Sequence, residues 1–248
     1  MTLNVSNLTG GYYRKEIISD INFTINPGEI VALVGLNGAG KSTTIRHIMG
    51  LLTPFNGEVT INQTPAEAGN SDYHKSIGYI PESPLLYEEL TLKEHIELTA
   101  TTHDISSNEA LKRSKPLLKL FRLENHLDWF PVDFSKGMKQ KVMIICALII
   151  YPEVLIVDEP FIGLDPLAMK DLVRLMEEAK ERGAAILLST HVLANVQKIC
   201  DRIIILDDGR MVAEGTYHDI KETFNSQTED LDSLFSEILG LNQKSGEV

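Results

Sequence analysis

Cysteine is scarce in this sequence. The two cysteines, Cys146 and Cys200, stand far apart, each among apolar neighbours. No second cysteine or histidine lies at ligand spacing from either of them, so a disulfide framework and a cysteine-based zinc site are not expected. We expect both to be buried, reduced thiols.

Long apolar runs are also missing. The longest uninterrupted run, Val142–Tyr151, is far shorter than the roughly 20 residues that a membrane-spanning helix needs. The first residues, MTLNVSNLTGGYY, lack the charged and apolar regions of a signal peptide. These absences predict a cytoplasmic protein without a membrane span of its own.

Positive charge is in short supply as well. Lys and Arg number 23 against 35 Asp and Glu, which gives a formal net charge of −12. A surface of this sign repels nucleic-acid phosphates and anionic lipid. We therefore expect no nucleic-acid partner, and any attachment to a membrane is expected to need a specific protein partner.

One segment that is present carries specific chemistry. Residues 35–42 read GLNGAGKS, the spacing of a phosphate-binding P-loop, between an apolar run at 30–34 and a helix-compatible run at 42–49. In that context backbone N–H groups and a helix N-terminus cradle the α- and β-phosphates, Lys41 reaches the β- and γ-phosphates, and the Ser42 hydroxyl is placed to ligate Mg²⁺. The alternative is a glycine-rich turn that caps a helix and binds nothing. The predicted nucleotide loop comprises Gly35, Leu36, Asn37, Gly38, Ala39, Gly40, Lys41, Ser42 and Thr43.

Two further apolar runs end in chemically useful side chains. The run at 154–157 is followed by Asp158 and Glu159, and the run at 185–188 by Ser-Thr-His191. Asp158 suits an indirect hold on Mg²⁺, Glu159 suits a general base for water in line with the γ-phosphate, and His191 suits a donor to that phosphate that keeps the water aligned. The alternatives are a solvated acidic turn and a strand-end histidine without a partner.

The pattern along the chain predicts an α/β fold. Strand-like runs at 3–8, 17–25, 29–34 and 58–62 fill the first third, 64–75 reads as a loop with weak helix, and 77–80 is a short apolar run. Helical spacing dominates from 91 to 150, and the wholly apolar runs at 154–157, 185–188 and 203–206 are typical of a parallel sheet. Asp208-Gly209 indicates a hairpin.

Residues 229–239 form an amphipathic helix that we expect to pack on the body of the protein rather than on a partner. We expect one domain at 1–220, with a helical subdomain at about 88–150, and a C-terminal helical extension at 221–248.

The order of these motifs resembles that of the ATP-binding cassette (ABC) ATPases. Ser135 fits an N-cap about twenty residues before the strand that ends in Asp158 and Glu159, and Gly137 permits close approach of the backbone. The P-loop, the Ser-x-Gly helix start, the Asp-Glu strand and Ser-Thr-His therefore follow one another in the same order as in that family. The strings LTGGY, YIPE, FSKGMKQKVMI and DEPFIGLDPLA are most similar to the ATP-binding subunits of Ecs-type bacterial transporters. The resemblance implies a P-loop (RecA-like) core with an antiparallel β subdomain and a helical insertion.

The resemblance also implies roles and partners. Tyr12, with Tyr13 as the neighbouring candidate, would stack on adenine, and Ser135 and Gly137 would touch the γ-phosphate of ATP held by a second copy. Two ATP molecules with Mg²⁺ would join a head-to-tail dimer, a homodimer, whose opening after hydrolysis moves permease subunits that are separate chains. Lys41, Glu159 and His191 are then the catalytic candidates. The protein would sit on the inner face of the cell membrane through those subunits and would act in export.

Three positions depart from the family pattern. Glu82 stands where most members have glutamine, and its carboxylate can still bind Mg²⁺ or water, while Lys136 replaces a usual glycine and Met138 a usual glutamine. We interpret Lys136 as a solvated lysine at the helix start, with a compensating positive charge as the alternative. A soluble single-cassette ATPase and a regulatory cassette that binds ATP without hydrolysing it are the competing functions.

Overall fold

The structure is a computed structural model in which residues 2–67, 69–161 and 163–240 are described. The elements follow one another as β1 (Leu3–Tyr12), β2 (Lys15–Ile25), β3 (Ile30–Val34), α1 (Lys41–Ile48), β4 (Asn56–Ile61), β5 (Thr64–Pro65), α2 (Ser71–Lys75), β6 (Ile77–Ile80), α3 (Leu92–Thr102), α4 (Ser107–Leu120), a 3₁₀ turn (Pro131–Asp133), α5 (Lys136–Ile149), β7 (Val154–Asp158), α6 (Pro166–Glu181), β8 (Ala185–Thr190), α7 (Leu193–Ile199), β9 (Arg202–Asp207), β10 (Arg210–Gly215), α8 (Tyr217–Thr223) and α9 (Leu231–Ile238).

Two sheets form the centre of the fold. The first has the order β2-β1-β4-β5 and is antiparallel, and the second has the order β10-β9-β3-β8-β7-β6 and is parallel except for β10. The predicted hairpin at Asp208-Gly209 is confirmed, because it joins β9 to its antiparallel neighbour β10. The expected α/β class with an antiparallel part is thus confirmed.

The central strands of the second sheet are buried on both faces. Every residue of β3, β7 and β8 is buried, as their unbroken apolar runs predict. Alternate residues of β7 point to opposite faces: Leu155 and Val157 join a core with α5 and α6, whereas Val154 and Ile156 join a core with the antiparallel sheet. The strand ends that form the site are therefore held between two packed layers.

Strand β1 runs four residues past its predicted end at position 8. This extension contains Gly10 and Gly11, although glycine is depleted in strands. In the structure a Cβ at Gly10 would lie 2.2 Å from the His47 Nε2 atom, so glycine is required there by close packing against α1. Residues 64–75, expected to be a loop with weak helix, contain the two-residue strand β5 and the short helix α2.

Helices α3, α4 and α5 lie between β6 and β7, in the region of the predicted insertion, whose division into a subdomain at about 88–150 stays a prediction. Helix α9 packs as expected: Leu231, Leu234 and Phe235 are buried in one cluster with residues of α7, β3 and β9. Residues 241–248 of the predicted C-terminal extension lie outside the described residues. Within the described ranges, no helix combines the length and hydropathy that crossing a bilayer requires.

Candidate nucleotide-binding site

The predicted nucleotide loop connects the buried strand β3 to helix α1. Gly40 has φ +107° and forms the N-cap of α1, and a Cβ added there would lie 2.7 Å from Ile18 Cγ2. Glycine is therefore required by conformation and by space. The unpaired backbone N–H groups at the start of α1 make this end of the helix suited to an anion.

Lys41 is the cation of this loop. Its side chain is buried, and its ammonium donates to the backbone oxygens of Gly35 (2.7 Å) and Leu36 (3.3 Å). Burial lowers the pKa of Lys41, and the nearby carboxylates, Glu159 first among them, act in the opposite direction. The ammonium is thus held against the loop backbone and faces a group of carboxylates.

Strand pairing brings the acid pair to this loop. In the sheet register Val34 of β3 is opposite Thr190 of β8, and Ser189 of β8 is opposite Asp158 of β7. Burial raises the pKa of Asp158, and the nearby carboxylates of Glu159 and Glu82 raise it further. The Ser189 hydroxyl and Lys41 lower this pKa, but they do not outweigh the increase. A buried carboxylate with a raised pKa is stabilised in its charged form by a bound cation.

Glu159 and His191 form a hydrogen-bonded pair. The His191 backbone N–H donates to Glu159 Oε2 at 3.2 Å, and His191 Nδ1 lies 2.9 Å from the same oxygen. Glu159 is buried and has φ +44°, and its own N–H donates to the Ser189 carbonyl at 2.9 Å. His191 therefore has a partner, contrary to the ordinary alternative, and its contacts restrict the orientation of the Glu159 carboxylate.

These groups share one cleft of about 580 Å³. The predicted residues that line it are Leu36, Asn37, Gly38, Gly40, Lys41, Ser42, Thr43, Glu82, Asp158, Glu159 and His191. Gly35 and Ala39 belong to the loop but do not line the cleft. Ile17 and Ser189 line it without having been predicted, because an apolar strand residue and a serine inside a buried strand carry no distinctive motif.

Four other candidates lie outside this cleft. Tyr12 is half-buried and its hydroxyl accepts a 2.6 Å hydrogen bond from Arg46, whereas Tyr13 is fully exposed in the turn after β1. Ser135 caps α5, its hydroxyl accepting from the Met138 N–H at 3.3 Å, and Gly137 lies in the first turn of that helix. A signature that acts on the ATP of a second copy is expected to lie outside the cleft of its own chain.

The cleft also bears on the predicted metal. Within the described residues no three His, Cys, Asp or Glu side chains converge as a preformed metal site. Mg²⁺ in phosphoryl-transfer enzymes is held by one or two protein oxygens together with substrate phosphates and water. The Ser42 hydroxyl and the Asp158 carboxylate in one cleft are an oxygen set of that kind, so these residues fit Mg²⁺, with Glu82 as a third oxygen donor at the rim.

Fold and site together define a P-loop nucleoside triphosphatase: a Gly-Lys-Ser loop follows a buried parallel strand, and a hydrogen-bonded Glu-His pair follows two neighbouring strands. The family model described as ABC transporter matches residues 18–162. The chain therefore belongs to the ABC transporter family, and it is an ATP-binding, ATP-hydrolysing subunit of a bacterial ABC transporter.

Individual relatives agree with this assignment. The chain is 50% identical to the ABC-type transporter ATP-binding protein EcsA of Bacillus subtilis (strain 168), over 95% of this chain and 96% of EcsA. It is 36% identical to the Nod factor export ATP-binding protein I of Rhizobium meliloti (strain 1021), over 88% of this chain and 65% of that protein.

Solved structures resemble it as well. The structure of an ATP-binding subunit of an ABC transporter superposes with a TM-score of 0.93 at 49% identity, covering 96% of this chain and 100% of that one. The ATP-binding cassette MJ0796, a dimer in a post-hydrolysis state with ADP and Pi, superposes with a TM-score of 0.77 at 28% identity, covering 86% and 98%. The resemblance to ABC ATP-binding subunits and the expected fold are confirmed.

Proposed function

We propose that two copies of this chain bind two MgATP head-to-tail and hydrolyse them to drive separate permease subunits, with the cassette peripheral on the inner face of the cell membrane. The observation that carries the proposal is the convergence in one cleft of Lys41, Asp158 and the Glu159–His191 pair. The dimeric MJ0796 cassette with ADP and Pi supports the pairing. A lone P-loop leaves one side of a triphosphate in water, and a second helix N-terminus would close that side.

The chemistry divides among named residues. The loop from Gly35 to Thr43 binds the phosphates, and Lys41 contacts the β- and γ-phosphates. Glu159 accepts the proton of the attacking water. His191 fixes the orientation of the Glu159 carboxylate and donates to the γ-phosphate. Mg²⁺, when bound through Ser42 and Asp158 with Glu82 at the rim, neutralises charge on the phosphate oxygens. Tyr12 stacks on adenine, after movement of the Arg46 side chain that now contacts its ring.

The second copy supplies Ser135 and Gly137. Both lie at the start of α5, where the helix N-terminus is suited to the γ-phosphate of an opposing ATP. Hydrolysis removes the shared ligand, so the closed dimer loses its main source of affinity and opens.

A surface beside the cleft suits a permease. Leu85 and Tyr87, between β6 and α3, are 78% and 63% exposed, and Trp129 and Phe130 are each 42% exposed. The N–H of Leu92 at the start of α3 donates to the Trp129 carbonyl, so the second segment lies against the helix that follows the first. Exposed large apolar side chains near one another are typical of an interaction site. We propose that this surface receives a cytoplasmic helix of the permease, and that transport runs outward, as the name of the Nod factor relative describes for that protein.

Pairing through Ser135 is testable with a matched helix cap. Ser106 caps α4 with the same side-chain to backbone bond as Ser135 caps α5, and both serines are exposed. In a Glu159→Gln background with MgATP, sedimentation velocity should show a dimer that Ser135→Arg abolishes and Ser106→Arg preserves. Each change costs about 1 kcal/mol of helix stability, so folding is equally affected. Monomers in the Glu159→Gln parent, or equal dimerisation of both arginine variants, would contradict the arrangement.

The membrane partner needs a separate experiment. The tagged chain, extracted from its native membrane in mild detergent, should carry a chain with several membrane spans, and mass spectrometry would identify it. Leu85→Glu with Tyr87→Ser should lose that chain while retaining MgATP-dependent dimerisation. Retention of the membrane chain by this variant would place the contact elsewhere.

A further inference from the structure

A second cavity lies away from the nucleotide cleft, among helices α4, α5 and α6. Its volume is about 600 Å³, close to that of the nucleotide cleft. A cavity of this size holds a small organic molecule. The established ATPase activity uses none of the side chains that line it.

The charge of this cavity is opposite to that of the chain. Its charged lining residues are four bases, Arg113, Lys119, Arg174 and Arg182, and a single acid, Glu178. The chain as a whole carries a net charge of −12. A local excess of positive charge in so acidic a protein is suited to an anion.

Some of these bases already have partners. Arg113 pairs with Glu109 at 3.0 Å and donates to the Ile149 carbonyl at the end of α5, and Arg174 is 3.9 Å from Glu178. Bases near helix C-termini commonly interact with the helix dipole, which accounts for Arg113. Lys119 in the last turn of α4 and Arg182 at the C-cap of α6 also lie at helix C-termini, but neither forms an ion pair in the part of the chain that the structure describes.

Tyr151 holds Arg182 in place. The guanidinium carbons of Arg113 and Arg182 lie 4.3 Å and 5.0 Å from the centre of the Tyr151 ring. Such contacts orient a guanidinium while leaving its N–H groups available to an anion. Arg182 is thus both oriented by an aromatic ring and without a carboxylate partner in the described residues.

The rest of the lining is apolar. It comprises Pro116, Leu117, Leu120, Leu148 and Leu175. Leu148 is 3% exposed and Leu175 is 5% exposed, so the wall is continuous with the main core. A ligand with a purely ionic character would leave this apolar wall unused.

We propose that this cavity binds a single-chain anionic amphiphile, with a phosphate or carboxylate on Lys119 and Arg182 and an apolar chain along the leucines. The shared chemistry is an anionic head on an apolar tail, which a dissolved acyl or alkyl compound and a bilayer lipid both offer. The proposal concerns binding alone and does not depend on the catalytic assignments made above.

The test is calorimetric titration of the full chain with decyl phosphate below its micelle concentration, with excess MgADP to occupy the nucleotide cleft. Decyltrimethylammonium and inorganic phosphate are the comparison ligands. Decyl phosphate should bind at least roughly tenfold more tightly than either, because only it combines charge-assisted bonds with apolar contact. Equal affinity of decyl phosphate and either comparison ligand would overturn the proposal. Increasing MgADP should leave decyl phosphate binding unchanged, whereas competition between the two would place the ligand in the nucleotide cleft and refute the new site.

A matched pair of variants separates local contact from net charge. Lys119→Gln/Arg182→Gln should weaken decyl phosphate binding at least about tenfold. Lys112→Gln/Lys170→Gln removes the same charge from exposed positions on α4 and α6 outside the cavity, and should change affinity by less than about twofold at 0.15 M salt because of screening. Equal effects of the two variants would refute the site.

Vesicles distinguish the two sources. Phosphatidylcholine vesicles containing phosphatidic acid should retain the wild-type chain, but not the Lys119→Gln/Arg182→Gln variant, if the head group is presented by a bilayer. Binding of decyl phosphate without vesicle retention identifies a dissolved ligand. If the vesicles retained the Lys119→Gln/Arg182→Gln variant as fully as the wild-type chain, the membrane contact would lie elsewhere. That result together with no decyl phosphate binding would refute the proposal.

Discussion

Replacing Glu159 by glutamine gives the sharpest test of the catalytic assignment. Glutamine has the same shape, and its carbonyl oxygen still accepts the His191 backbone N–H that now lies 3.2 Å from Glu159 Oε2. It also removes one negative charge from a cleft that contains Asp158 and Glu82, so the fold is not weakened by repulsion. What is lost is the ability to take a proton from water.

The size of the effect follows from that single loss. A positioned general base contributes about 10²–10⁴-fold, which corresponds to about 3–5 kcal/mol of activation free energy. We therefore expect kcat for ATP to fall by about 10²–10⁴-fold, while nucleotide affinity changes little because the phosphate loop is intact. Phosphate release measures the first, and titration with a fluorescent ATP analogue measures the second.

The matched control is Glu177→Gln. Glu177 is an exposed residue of α6 that does not line the cleft, and its variant should release phosphate at the wild-type rate. If Glu159→Gln did the same, Glu159 would not be the base and the reasoning from its pairing with His191 would be refuted. A large loss of nucleotide affinity would instead mean that the variant disturbs the phosphate loop.

Three further predictions concern stability and reactivity. Phe235→Ala on α9 should lower the free energy of unfolding in urea by about 3 kcal/mol, because the Phe235 side chain is only 7% exposed. The control Phe224→Ala should lower it by less than about 1 kcal/mol, because Phe224 is 37% exposed. Equal losses in the two variants would contradict the packing of α9. Burial raises the pKa of Asp158, so ionisation of this carboxyl destabilises the fold. Asp158→Asn should therefore gain stability relative to wild type as pH rises through the raised pKa, with no gain below the ordinary value of 3.8. Thermal melts across pH measure the gain, and a gain that shrank as pH rose would refute this. Burial raises the pKa of Cys146 to about 11 and that of Cys200 to about 12, so iodoacetamide at pH 7 should label both only after unfolding, and rapid labelling of the native chain by mass spectrometry would contradict this.

Much of the site was readable because its residues follow apolar runs. The strand ending at Val34 and the run at 154–157 before Asp158 are apolar throughout and buried in the structure, as predicted. The N-cap at Ser135 was also predicted, since a serine before a helical run satisfies a free backbone N–H. The cysteines are unpaired as expected, although both are half-buried rather than fully buried.

Other features depended on contacts between distant residues. Sequence favoured Tyr12 over its neighbour Tyr13 without a structural reason, and it is the turn after β1 that exposes Tyr13 while Arg46 of α1 contacts Tyr12. The course of β1 through Gly10 depended on the position of His47. The sequence does not indicate the basic cavity, because its members come from three helices and the residues that follow them and share no motif.

Local spacing alone determined the chemistry of this protein: a glycine loop ending in Lys41 and Ser42, and carboxylates placed after a buried strand. Those properties are local because backbone conformation and strand burial are encoded by neighbouring residues. The strand order was decided only in three dimensions. Placing β8 between β3 and β7 sets His191 against Glu159, 32 positions away along the chain, and sheet register, a property of long-range packing, fixes that contact.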